Sequence, residues 1–176
     1  MKRQQHEIMQ QRTRDYFKKA GIVISENESI EVSDFGLNNI ENVGLQLCVY
    51  INTDRVCAKE MVLFPYQTCP EHKHVESYGK EGKEETFRCR YGKVFLYVDG
   101  EGTADSINGK LPDTKTTVYH EIVLKPGQQY TILPNTNHWF QGGSEGAIVS
   151  EFSTTSTDET DVFTDDRIIR ETKIED

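Results

Sequence analysis

Two histidines one residue apart, His72 and His74, are the first side chains in this chain whose spacing could hold a metal ion. Side chains alternate faces along a β-strand, so residues 72 and 74 project the same way. Two ring nitrogens can then reach one ion at about 2.0–2.2 Å. An HxH pair alone is weak evidence, and two surface histidines account for it as well. Glu85 adds to the pattern. It opens the run ETFRCRYG, with six residues between it and Gly92. On a strand it shares a face with Phe87 and Cys89, while Arg88 and Arg90 point the other way. A carboxylate on an apolar face needs compensation for desolvation, and a bound cation provides it. Its neighbour Glu84 faces outward as a solvated charge. His138 is the fourth candidate, following the turn residues Pro134 and Asn135 and partly enclosed by Trp139 and Phe140. Three imidazoles and one carboxylate on a six-coordinate ion leave open positions for a chelating ligand. Such mixed ligation suits manganese, iron, zinc or nickel and does not select one.

Two more side chains carry possible chemistry. In AIVSEFS, Glu151 shares a strand face with Val149 and Ser153. If that face is interior, Glu151 is a candidate base beside a metal; otherwise it is an exposed strand glutamate. In RVCAKEMVLF, Lys59 shares a face with Cys57, Met61 and Leu63. It could hydrogen-bond a substrate oxygen or stabilise developing negative charge, or reach from an edge strand to water. His6 and His120 have no partners at ligand spacing and read as surface residues.

These residues need elements to position them. Residues about 2 to 20 predict a helix, because Met9, Thr13, Tyr16, Phe17 and Ala20 share one face. Gly21 is placed to end it. From about 30 to 170 the pattern changes to short runs rich in β-branched and aromatic residues, among them GLQLCVYINT, KVFLYVDG and TVYHEIVL. Turn signals separate them at Asp99-Gly100, Lys125-Pro126-Gly127 and Gly142-Gly143. No long helical pattern interrupts. The expectation is a mainly β chain, an antiparallel barrel or double-sheet sandwich behind an N-terminal α-helix. The acidic segment after about Ser156 is expected to hold turns and a short closing strand or helix. Asp34-Phe35-Gly36 spells a kinase magnesium tripeptide, but no glycine-rich loop or HRD loop accompanies it, so it reads as a turn.

Composition bounds the partners. A length of 176 residues suits a single domain, 1–176. Twenty-nine acidic against 20 basic residues give a net charge of -9, which argues against nonspecific nucleic-acid binding. No stretch is apolar enough to span a bilayer, and the N-terminus lacks the apolar core of a signal peptide. Four cysteines without CxxC spacing are expected as reduced thiols in a cytoplasmic protein.

The two histidine segments together resemble the paired motifs of cupins, small jelly-roll β-barrels. The first cupin motif runs glycine, five residues, HxH, three or four residues, Glu, six residues, Gly. The second runs glycine, five residues, P-x-G-x-x-H. Glu85 to Gly92 and Gly127 to His138 fit this frame. The chain departs from it in carrying Tyr66 for the first glycine and Leu133 and Asn135 for the proline and glycine of the second motif. Ten residues, including Glu76 and Glu81, separate His74 from Glu85. The spacing to Gly92 favours Glu85 as the ligand, and the charged insertion ESYGKEGKE reads as a loop at the rim of the site.

CPEHKH, GKEETFRCRYG, PNTNHWFQGG and EFSTTSTDETDVFTDDRIIR narrow the likeness. Over about Asp34 to Arg170 the chain resembles the D-lyxose isomerase family of cupins. The resemblance implies an aldose–ketose isomerase that interconverts D-lyxose and D-xylulose, with D-mannose and D-fructose as secondary substrates. It implies one divalent metal per chain, usually Mn2+, and a homodimer. His72, His74, Glu85 and His138 become the expected ligands, Glu151 the base and Lys59 a catalytic partner. Asp161 and Arg170 are expected to bind sugar hydroxyls, and Trp139 and Phe163, with Phe140, to wall the sugar's C–H faces unless they serve only as core. An iron-dependent cupin dioxygenase and a non-catalytic sugar-binding cupin are the alternatives.

Overall fold

The computed structural model describes residues 1–176. Helix α1 (Arg3–Lys19) precedes nine strands: β1 (Glu31–Ser33), β2 (Leu45–Asn52), β3 (Cys57–Leu63), β4 (Thr68–Lys73), β5 (Glu85–Val98), β6 (His120–Leu124), β7 (Gln129–Ile132), β8 (His138–Ser153) and β9 (Val162–Phe163). Met9, Thr13 and Phe17 recur at helical spacing and bury one stripe of α1. That stripe packs on the outside of the sheet against Ile30, Val32, Val62, Phe64 and Ile148. The helix ends at Gly21, whose φ of +70° needs no Cβ and whose N–H donates to the Lys18 carbonyl. No helix is long and apolar enough to cross a membrane.

Every pairing between the named strands is antiparallel. The two longest strands close the barrel. The start of β8 pairs with β4 and its end with β3, while β5 runs along its other side. β5 then carries β6 and β7. Side chains on the inner face, including Leu45, Leu47, Met61, Phe87, Phe140 and Val149, form the largest core cluster. Alternation along β5 is as expected: Glu85, Phe87 and Cys89 are buried, and Arg88 and Arg90 are not. All four cysteines are buried free thiols.

The glycine positions of the two cupin motifs keep their backbone requirement even where the residue differs. Gly92 has φ +69°, and a Cβ there would lie 2.1 Å from the Gly146 carbonyl oxygen. Tyr66 and Asn135 stand in glycine slots and also have positive φ, 56° and 61°. Asn tolerates that region; for Tyr66 it costs roughly 1–2 kcal/mol.

Residues 34–36 form a turn, with the Gly36 N–H donating to Asp34 Oδ1. Phe35 is nevertheless buried and packs on Phe163. The C-terminal segment holds a 3-10 turn at Asp158–Thr160 and then β9. Its residues Asp158, Asp161, Phe163 and Arg170 join the barrel interior in lining one cavity.

Candidate metal centre and its pocket

Three strand ends meet at this cavity. His72 lies on β4 with His74 just beyond its end, Glu85 begins β5, and His138 begins β8. Register places His72 opposite both His138 and Phe163. The ring centroids of His72 and His138 are 4.3 Å apart, those of His72 and His74 5.0 Å, and those of His74 and His138 5.3 Å. Glu85 Oε1 lies 3.0 Å from His138 Nε2 and 3.2 Å from His74 Nε2. All four side chains are buried. One nitrogen from each histidine falls within 4.8 Å of the others.

The surroundings fix which nitrogen faces inward. His72 Nδ1 donates to the Pro70 carbonyl at 2.8 Å, and His138 Nδ1 to the Thr136 carbonyl at 3.0 Å. His74 Nδ1 donates to Asp161 Oδ1 at 2.5 Å. Carbonyl and ionised carboxylate oxygens only accept, so in the neutral rings the proton sits on each Nδ1. The three Nε2 lone pairs then converge with Glu85 Oε1, and no donor stands among them. His138 Nε2 is buried and makes no hydrogen bond, although Glu85 Oε1 is close by. Two acceptors facing each other in a buried site require a positive charge between them. A three-nitrogen, one-oxygen set oriented by outer acceptors fits a divalent cation.

Without a cation, protons carry part of that charge. Burial opposes the charged form of His74, but the Glu85 and Asp161 carboxylates outweigh it and hold its pKa at about 9. For His72, burial and then the neighbouring histidines push the pKa well below the usual range.

A second charged cluster adjoins the first. Lys59 on β3 and Glu151 on β8 are direct cross-strand partners. Lys59 is buried, so it does not escape to water; its Nζ lies 2.6 Å from Asp158 Oδ2, 2.8 Å from Ser156 Oγ and 3.6 Å from Glu151 Oε1. Lys83 Nζ lies 2.9 Å from Glu85 Oε2, 3.2 Å from Glu151 Oε1 and 3.3 Å from Asp158 Oδ1. Ser153 Oγ donates to Glu151 Oε1 at 3.1 Å. All three Glu151 contacts fall on Oε1, and Oε2 carries none. Burial disfavours the Lys83 charge, but Glu151, Glu85 and Asp158 outweigh it and raise its pKa well above the usual lysine value. Burial likewise pushes Glu85 up, but Lys83 and His74 outweigh it and hold its carboxyl well below the usual range.

The structure adds to these expectations and revises some of them. The loop between His74 and Glu85 is not all rim: Glu76, Lys80 and Glu81 are exposed, which removes Glu76 and Glu81 as ligands, but Lys83 is buried at the centre. Gly82 permits this, since a Cβ there would sit 2.0 Å from the His74 carbonyl oxygen. Asp161 lines the cavity and also holds His74 Nδ1 through its Oδ1. Trp139 does not reach the cavity. It lies on the opposite face of β8 from His138 and Phe140, stacks on Tyr97 at 3.7 Å and donates from Nε1 to the Val118 carbonyl. Asp158, not among the expected site residues, ties Lys59, Lys83 and Arg170 together.

Phe163 does line the cavity, 5.4 Å from the His72 ring, with Phe35 and Phe140 nearby. Arg170 also lines it, and its guanidinium pairs with Glu31 at 2.7 Å and Asp158 at 3.4 Å. His120 is exposed and His6 half-buried, and neither joins the centre.

An antiparallel barrel with three histidines and a glutamate converging in its interior defines a cupin. Among solved structures of similar fold is an L-ribose isomerase of Cellulomonas parahominis with no ligand. Its TM-score is 0.74 at 14% identity, and the match covers 99% of this chain and 98% of that one. The family model described as D-lyxose isomerase matches residues 99–176. The "D-lyxose/D-mannose isomerase" of Thermosediminibacter oceani is 59% identical over 180 residues, spanning 100% of this chain and 99% of that protein. The "D-lyxose ketol-isomerase" of Cohnella laeviribosi is 60% identical, covering 93% of this chain and 92% of that protein. This chain belongs to the D-lyxose isomerase family.

Proposed function

We propose that this chain is an aldose–ketose isomerase that interconverts D-lyxose and D-xylulose, and also D-mannose and D-fructose. The observation that carries the reading is the donor-free convergence of three Nε2 atoms and Glu85 Oε1 beside a glutamate with one uncommitted oxygen. His72, His74, Glu85 and His138 would hold one divalent cation per chain, Mn2+ in our reading. When bound, such an ion supplies Lewis-acid stabilisation of negative charge on adjacent substrate oxygens.

The chain's own residues do the rest. Glu151 uses Oε2 to take the hydrogen at C2 of the aldose as a proton and returns it to C1, while the O2 hydroxyl proton passes to O1, so that the route runs through a cis-enediol. Lys59 and Lys83 fix Oε1 and keep positive charge next to the developing enediolate. Asp161 holds His74 in its ligating tautomer. Phe163, Phe35 and Phe140 offer an apolar wall to the C–H faces of a sugar, and Arg170 offers donors at the cavity's edge. The basic groups of the cavity, Lys59, Lys83 and Arg170, are each paired with carboxylates, in keeping with a free sugar rather than a phosphorylated one.

Purified protein with Mn2+ and a panel of aldopentoses and aldohexoses is expected to form ketose from D-lyxose and D-mannose; none from either sugar would overturn the reading. Glu151→Gln is expected to lower kcat by about 10²–10⁴-fold while metal content stays unchanged. With C2-deuterated substrate the enediol route exchanges label with solvent; full retention in the product points instead to a hydride shift. We further infer a cytoplasmic homodimer. Exposed Tyr50, Ile51 and Phe152 on neighbouring strand ends support a self-complementary apolar face.

A further inference from the structure

We propose that Glu71 is a positioning residue for the metal centre, acting from the opposite face of β4 through a clamp that includes Val118 and Thr164. The inference rests on the reading of His72, His74, Glu85 and His138 as metal ligands.

Strand β4 delivers His72 immediately after a break in its pairing with β8. Cys69 pairs with Phe140 and His72 with His138, so β4 advances three residues while β8 advances two. This is a bulge at Pro70-Glu71, and Pro70 has no N–H to contribute. The Pro70 carbonyl turns inward to hold His72 Nδ1. Something else must hold the bulge.

Glu71 is fully buried, and its partners are all hydrogen-bond donors. Oε2 accepts the Thr117 N–H at 2.6 Å and the Val118 N–H at 3.1 Å. Oε1 accepts the hydroxyls of Thr117 and Thr164, both at 2.6 Å. Charge-assisted bonds of this kind are stronger than neutral ones and hold geometry accordingly. Four of them brace the bulge.

Both ends of the clamp lead to the site. Thr164 follows β9, and its N–H also donates to the Glu71 carbonyl. β9 is only two residues long, yet it places Phe163 on His72 and follows Asp161, which holds His74. Val118 donates to Glu71 and accepts from Trp139 Nε1. Glu71 precedes His72 and Trp139 follows His138, so one backbone residue of the loop before β6 fastens the outer neighbours of two proposed ligands. Trp139 therefore serves the site from behind rather than as a wall for sugar.

The test is calorimetric titration of metal-free protein with Mn2+, well below the unfolding temperature. Glu71→Leu is expected to weaken Mn2+ affinity by about 10–100-fold, the usual effect of losing an outer support of a ligand. Glu71→Gln is expected to stay within about threefold of wild type. Its carbonyl can face the two backbone N–H groups while the threonine hydroxyls rotate to accept from its amide. Thr164→Val removes only the hydroxyl bond to Glu71, keeping the backbone tie to β9, and is expected to cost roughly threefold or more; it decides the matter if Glu71→Leu does not fold.

Glu121→Ala is the control. Glu121 clamps the same loop through Asn108 and Gly109 and touches neither β4 nor β9. It is expected to lower thermal stability and leave Mn2+ affinity unchanged. Glu71→Leu binding Mn2+ as wild type does, or Glu121→Ala weakening it equally, overturns the inference alone. Wild type that binds no Mn2+ overturns the metal-centre reading and this inference with it.

Discussion

Replacing Lys83 by methionine tests whether the charged cluster is held together as described. Methionine keeps the length and much of the apolar stem, so the change removes charge and hydrogen bonds rather than volume. Lys83 Nζ sits 2.9 Å from Glu85, 3.2 Å from Glu151 and 3.3 Å from Asp158. Asp158 is about one-fifth exposed and keeps Lys59 at 2.6 Å, so its loss is small. Glu85 and Glu151 are buried and would be left under-compensated. Breaking a buried pair in this way costs about 3–5 kcal/mol. For a chain of this size that is a fall in Tm of about 6–20 °C in the metal-free protein.

A bound cation neutralises Glu85 directly, so Mn2+ is expected to raise the Tm of Lys83→Met more than that of wild type. The pH dependence has a fixed sign. Glu85 has a depressed pKa, partly through Lys83, so this stability is fully present above the ordinary carboxylate value of 4.5 and is lost as pH falls through the lower folded value. The gap between variant and wild type should therefore be full at pH 7 and shrink below about pH 4.5. Thermal scans with and without Mn2+ across pH measure all three effects. A metal-free fall of less than about 2 °C at pH 7 would refute the assignment of Lys83 as the cluster's central cation.

Four further outcomes are expected. His72→Ala should lose most Mn2+ binding and activity together; a variant that kept both would remove His72 from the ligand set. Metal uptake near pH 7.5 should release about one proton per chain, because His74 is held protonated up to about pH 9 and must be neutral to ligate; calorimetry in buffers of different ionisation enthalpy reads it, and no release would refute it. By the same raised pKa, the contribution of His74 to metal-free stability should be full below the ordinary histidine value of 6.5 and be lost as pH rises through about 9. Phe152→Glu should convert a homodimer to a monomer by light scattering, and a wild-type monomer would sink the dimer inference.

Much of the site could be read from local sequence, because its information is local. The alternation of a strand brings His72 and His74 to one side and sends Glu85, Phe87 and Cys89 inward while Arg88 and Arg90 go out. The glycine frame located Glu85 across an insertion, since Gly92 is held to its place by the Gly146 carbonyl. The same alternation already separates Trp139 from His138 and Phe140; grouping Trp139 with the cavity aromatics overlooked it. What sequence could not decide is where a polar segment goes. Lys83 sits among Lys80, Glu81 and Glu84, and nothing in the run marks one lysine as buried. Only the approach of Gly82 to the His74 backbone carries it inside. Asp158 likewise reads as one charge in an acidic tail, and Asp161 stands out there only through the family resemblance, until that tail folds across the barrel. Charge is cheap in water and costly in a protein interior, so which charges are functional depends on burial and partners, and those exist only in the tertiary structure.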